Sequence, residues 1–257
     1  QLSPALLELG CPARVYIPLE EVSRLESLPG EGPEWCAVLP RVWRDRDEPA
    51  LRTLLERARA LGFTGVLIGN LGHLPLVRGL NFHLYGDYGL NVFNSRSLAY
   101  LKDKELESAC VSFELRFAQI RDLKKVLRAE AIVYGRLPLM ITENCLVQNE
   151  TGCRLDRQGP CVPEDGPCRC GQPNVLVDRT GAAFPLLPAY GHRTEIQNSK
   201  PLYLADRPEH RRLGLAYARL RFTTETAEEC VSVVQNYLDA APAAGDFTRG
   251  LYERGVE

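Results

Sequence analysis

Apolar positions along this chain switch repeatedly between a short and a long period. About eight β-rich runs stand out: Ala13 to Ile17, Trp35 to Pro40, Gly65 to Gly69, Phe82 to Tyr85, Cys110 to Phe113, Ile132 to Tyr134, Leu202 to Leu204 and Leu215 to Phe222. Between them the spacing is helical. Leu51, Leu54, Leu55 and Ala58 fall at i, i+3, i+4, i+7 and make one buried stripe on Glu48 to Leu61. Phe117, Ile120, Leu123 and Leu127 predict a second long helix. Thr226-Ala-Glu-Glu229 has the form of a capping box opening a last helix, with Ala227, Cys230, Val231, Val234, Tyr237 and Leu238 on its inner face. Strands alternating with helices predict an α/β fold with a mainly parallel sheet. Their number points to a (β/α)8 TIM-like barrel, complete or degenerate, with chemistry on the loops that follow the strands.

One segment breaks this alternation. From Leu139 to Lys200 there is no helical stripe, but Gly, Pro, Cys, Asn and Asp are plentiful. The expectation is one barrel-like domain over 1–257, with 140–200 as a cysteine-rich insertion. Inside it, Val175-Leu-Val177, the turn Asp178-Arg-Thr-Gly181 and Phe184-Pro-Leu186 predict a β-hairpin, Gly181 supplying a positive φ. So long a loop is uncommon unless it is functional or fastened.

The chain has 257 residues, 45% of them apolar and 25% charged, which is ordinary for a globular protein. A net charge of -2 gives no global basic surface for nucleic acid. The N-terminal residues lack signal-peptide features, and no apolar run approaches the ~20 residues of a membrane span. The expected setting is therefore cytoplasmic, with no membrane partner. Because the chain opens with Gln1, it is expected to be a fragment whose partners include the rest of a parent chain.

Five of the nine cysteines, Cys145, Cys153, Cys161, Cys168 and Cys170, crowd into the insertion. In a reducing compartment such a cluster reads as metal ligation, by four thiolates around zinc or at the corners of a 4Fe-4S cluster. Cys36, Cys110 and Cys230 sit in apolar surroundings and read as core; Cys11 is open. His192 could return to the cysteine site as a further ligand, or be an ordinary polar histidine. Glu114 ends a strand and Asp87 follows another, where barrel enzymes place catalytic groups, though each could equally be an exposed loop acid. Arg136 follows a strand and precedes the cysteines, where it could hold an anion or offset thiolate charge. The sequence contains no G-x-S-x-G, H-E-x-x-H, phosphate-loop or dinucleotide motif.

Taken together, Tyr134-Gly-Arg-Leu-Pro-Leu-Met140 running into Cys145, with Ser112-Phe-Glu-Leu115, Asp178-Arg-Thr-Gly181, Asn198-Ser-Lys-Pro201 and Phe247-Thr-Arg-Gly-Leu-Tyr252, resemble the collagenase-like peptidase family U32. The end of the chain resembles that of larger bacterial members. The resemblance implies a barrel carrying a 4Fe-4S cluster, with relatives that hydroxylate ubiquinone precursors, transfer RNA or ribosomal RNA without oxygen. In the RNA enzymes the hydroxyl is associated with prephenate. It implies Cys145, Cys153, Cys168 and Cys170 as ligands, with His192 standing where relatives often have a cysteine. The expected function is then an iron-sulfur protein supporting hydroxylation of an RNA base, with RNA and prephenate as partners. The alternatives are a collagenase-like peptidase and a non-catalytic, zinc-stabilised module that binds RNA or protein.

Overall fold

The computed structural model describes residues 4–28, 30–151 and 172–256. In chain order the strands are β1 (Arg14–Pro18), β2 (Glu34–Val38), β3 (Gly65–Ile68), β4 (His83–Gly86), β5 (Ser108–Cys110), β6 (Arg128–Gly135), β7 (Pro138–Thr142), β8 (Asn174–Val177), β9 (Ala183–Ala189), β10 (Arg193–Gln197), β11 (Leu202–Tyr203) and β12 (Tyr217–Leu220). The helices are α1 (Pro4–Glu8), α2 (Leu19–Val22), α3 (Glu48–Ala60), α4 (His73–Val77), α5 (Ser95–Asp103), α6 (Phe117–Asp122), α7 (Leu146–Thr151) and α8 (Ala227–Asp239).

An eight-stranded sheet runs β1-β2-β3-β4-β5-β6, every neighbouring pair parallel. β12 continues it in parallel along β6, while β11 meets the end of β6 antiparallel at Tyr134 and Gly135. Among the described residues no ladder joins β12 to β1, so this is an open, curled, partly mixed sheet flanked by helices, a degenerate barrel. Side chains show the curl directly. Arg14 on β1 donates to Ser108 Oγ at the start of β5 (2.8 Å) and to the Tyr217 hydroxyl on β12 (3.3 Å). Tyr16 on β1 donates to Glu130 on β6 (2.8 Å).

The predicted helical stripe is observed on α3, where Leu51, Leu55 and Ala58 are fully buried. On α8 the predicted box is closed: Thr226 Oγ1 accepts from Glu229 N (3.3 Å) and Glu229 accepts from Thr226 N (2.7 Å). α6 is shorter than its apolar spacing predicts. It stops at Asp122 because Leu123 turns extended, and Lys125 Nζ donates back to the carbonyls of Ile120, Arg121 and Leu123. The predicted hairpin is β8 and β9, with Gly181 at φ +85° and Asp178 accepting from the amides of Thr180 and Ala182. It belongs to a second sheet, β7-β10-β9-β8, antiparallel throughout.

Cys36, Cys110 and Cys230 are buried in apolar packing, whereas Cys11 is exposed. The barrel interior is polar where most barrels of this kind are lined by Val, Ile and Leu. Arg14 lies between the rings of Tyr85 (3.6 Å) and Tyr217 (4.3 Å) and pairs with Glu34 (2.9 Å). Nearer the C-terminal ends of the strands, the Arg219 guanidinium lies over the Tyr16 ring and pairs with both Asp87 and Glu130. Burial alone would make that guanidinium easier to discharge, but the two carboxylates outweigh it and hold its pKa well above the ordinary value. No helix among the described residues is long and apolar enough to cross a membrane.

Candidate functional site

At the C-terminal ends of the strands, the loops after β2, β4 and β5 form an open cavity of about 310 Å³ lined by Arg41, Tyr88, Gly89, Asn91, Ser112, Phe113 and Glu114. Each wall has a local cause. Arg41 follows β2, and its stem lies against two glycines. A Cβ at Gly89 would stand 2.6 Å from the Gly69 carbonyl oxygen and 2.9 Å from Arg41 Cδ, so the backbone must be bare there. The Arg41 guanidinium lies 5.3 Å from the centre of the Tyr88 ring. Tyr88 in turn packs 5.7 Å from Phe113, and its hydroxyl donates to Glu195 on β10 (3.3 Å). Burial raises the Tyr88 phenol pKa, and the carboxylates of Glu195 and Asp87 raise it further, so it stays a proton donor.

The loop after β5 is turned by Ser112, whose hydroxyl accepts from Glu114 N (3.3 Å) and whose own amide donates to the Val92 carbonyl (3.0 Å). This carries Glu114 to the cavity wall, half-buried. Among the described residues neither Arg41 nor Glu114 has an ion-pair partner, so opposite charges face one cavity without neutralising other groups.

The inserted sheet is anchored beside this site through Glu195. Arg221, just past β12, donates to Glu195 (2.9 Å), to Gln197 (2.6 Å) and to the Arg136 carbonyl (2.7 Å). β10 is thereby fixed to the barrel, and Tyr88 with it. Nothing in the sequence pointed to Arg41, Tyr88, Glu195 or Arg221; the only available signal was that Arg41 and Tyr88 lie one to three residues beyond a predicted strand.

The residues singled out from sequence are placed as follows. Glu114 lines the cavity. Asp87 is buried and committed to Arg219, below the cavity. The Arg136 guanidinium donates to the carbonyls of Asn198 (3.0 Å) and Ser199, bracing the chain after β10. Cys145 precedes α7, and its Sγ accepts from Gln148 N (3.4 Å). His192 is half-buried in the turn between β9 and β10, at φ +59°. Cys153, Cys161, Cys168 and Cys170 lie outside the described residues.

The metal expectation is corrected. Among the described residues no group of three or more His, Cys, Asp or Glu side chains could hold a metal ion. Cys145 instead serves as an acceptor at a helix start, and the acids at the barrel mouth are taken up by arginines or stand singly. The 4Fe-4S cluster, its zinc alternative and the iron-sulfur hydroxylase built on them are therefore withdrawn.

The family model described as Peptidase family U32 matches residues 28–174, more than half of the chain. A solved structure titled "The Structure of the U32 Peptidase Mk0906" is similar at 12% identity, covering 65% of this chain and 80% of that one with a TM-score of 0.40. No curated protein matches.

Proposed function

Since the chain belongs to peptidase family U32, we propose that it binds and hydrolyses short peptides in the cavity at the mouth of its barrel. The observation that carries this reading is the pair of uncommitted charges, Arg41 and Glu114, on one concave surface that Tyr88 and Phe113 also line. A peptide offers carbonyl and carboxylate oxygens to the cation and an amide to be attacked beside the acid, and its side chains suit aromatic walls. This replaces RNA and prephenate with a peptide as the partner. A cavity of about 310 Å³ lies at the lower end of the ~300–1,000 Å³ range of small-ligand sites, which suits a residue or two of a single strand and not a collagen triple helix.

In this scheme Glu114 is the general base. Its carboxylate takes a proton from water as the water oxygen bonds to the carbonyl carbon, and the carbonyl electron pair moves onto oxygen, facing the positive field of Arg41. When the intermediate collapses, the C–N bond breaks and Glu114 returns the proton to the departing amine. One barrel-like domain over 1–257, with 140–200 as its insertion, is part of the same reading. It is supported by a hydrophobic cluster that takes in residues from Ile17 to Tyr252.

The test is peptide hydrolysis by purified chain and by Glu114→Gln. A positioned general base contributes roughly 10²–10⁴ in rate, so the variant should lose at least about a hundredfold in kcat with an unchanged melting curve. Full activity in Glu114→Gln, or no hydrolysis of any di- to hexapeptide by the unaltered chain, would remove the reading.

A further inference from the structure

Resting on the peptide reading of this cavity, we infer that Arg41 recognises the free α-carboxylate of a chain end, so that the site works from the C-terminus of short peptides. Three observations converge on this. The Arg41 stem is seated against Gly69 and Gly89, where a Cβ at either position would lie 3.6 Å from its Cγ or 2.9 Å from its Cδ. The guanidinium is held by the Tyr88 ring, and Tyr88 is itself anchored by Glu195. Of the neighbouring arginines, Arg219 below the cavity and Arg221 beside it are each spent on a carboxylate and Arg136 on the carbonyls of Asn198 and Ser199, whereas Arg41 pairs with no carboxylate among the described residues.

A guanidinium fixed by its stem and a ring, with no counter-ion, keeps its forked donors for a ligand, and that fork matches a carboxylate. Glu114 on the same cavity sets the ligand's charge. A dianionic phosphate would be repelled by it, while a monocarboxylate balances Arg41 and leaves Glu114 free. The small cavity favours a chain end over the middle of a chain, and a carboxylate seated on Arg41 puts the last peptide bond next along the strand, toward Glu114.

The test is calorimetric binding of N-acetyl-phenylalanine, its amide, N-acetyl-glutamic acid α-amide and inorganic phosphate to the full chain at low salt. The acid should bind about tenfold or more tighter than its amide, the value of a charge-assisted contact. In Arg41→Gln the preference should fall below about twofold, and Arg41→Lys, which keeps the charge but not the fork, should fall between. Equal binding of acid and amide to the unaltered chain overturns the inference and leaves the peptide site standing. Binding of the glutamic α-amide as tight as that of the acid reassigns Arg41 to acidic side chains, and tight phosphate binding reassigns it to phosphate; either outcome overturns the chain-end reading. If neither acid nor amide binds, the peptide reading of the cavity falls with it.

Discussion

Replacing Arg219 by methionine should be the most damaging single change in the barrel interior that leaves the backbone untouched. The Arg219, Asp87 and Glu130 side chains are only 8%, 10% and 3% exposed, and Arg219 faces both acids. A surface pair is worth about 0–1 kcal/mol, and its loss would be hard to see. Here the loss leaves two carboxylates packed close together in the interior without a cation. Breaking a buried pair by removing one partner costs about 3–5 kcal/mol, a large share of the ~5–15 kcal/mol that holds a domain folded. For a chain of this size that corresponds to a fall in melting temperature of roughly 6–20 °C. The damage should come from the orphaned acids and not from lost attraction. The triple variant Arg219→Met, Asp87→Asn, Glu130→Gln should therefore be clearly more stable than the single variant, since neutral amides cost far less to bury than carboxylates left without a cation. The assay is urea denaturation of the parent, single and triple variants followed by circular dichroism. A single variant within about 1 kcal/mol of the parent, or a triple variant no better than the single, would refute this account of the interior.

Two other perturbations test different parts of the fold. Gly135 has φ +116°, and a Cβ there would overlap the Arg221 carbonyl oxygen, so Gly135→Ala should cost roughly 3 kcal/mol or more and shift the urea midpoint accordingly. Fully buried His73, whose Nε2–H donates to the Pro40 carbonyl (3.2 Å), has its pKa lowered by burial from 6.5 to about 4. Between those values the unfolded chain binds a proton that the folded chain refuses. Stability should therefore be intact above pH 6.5 and fall by roughly 2–3 kcal/mol as the pH drops to 4, since each tenfold difference in proton affinity between the two states is worth about 1.4 kcal/mol. In His73→Gln that part of the acid slope should vanish, which urea titrations at about pH 7, 5.5 and 4 would show.

Features that near neighbours along the chain decide were legible in the residues alone. The strands from β1 to β6, the stripe on α3, the capping box at Thr226 and Glu229 and the Asp178 to Gly181 hairpin turn all rest on side-chain period or on groups within a few residues of each other. The same local logic put Glu114 at the end of a strand; β5 stops earlier, at Cys110, and the loop after it carries Glu114 to the barrel mouth. It overran at α6, because the turn at Leu123 and the cap from Lys125 compete with an apolar spacing that could have continued a helix. It also went too far with the cysteines, since spacing shows that thiols are abundant in a loop but not what they face, and Cys145 faces the amide of Gln148.

Partners far apart along the chain were settled only by the closing of the fold. Arg14 meets Tyr217 across 203 positions and Arg219 meets Asp87 across 132, and no local pattern sets such partners. Asp87 looked like a free loop acid until the curl of the sheet brought Arg219 beneath it. The joining of β7 to β10, the seat that Glu195 gives Tyr88 and the separation of Arg41 from every described acid come from the curling of the sheet and the docking of the insertion against it. Charge pairing in an interior depends on distance through space, and a linear sequence records only distance along the chain.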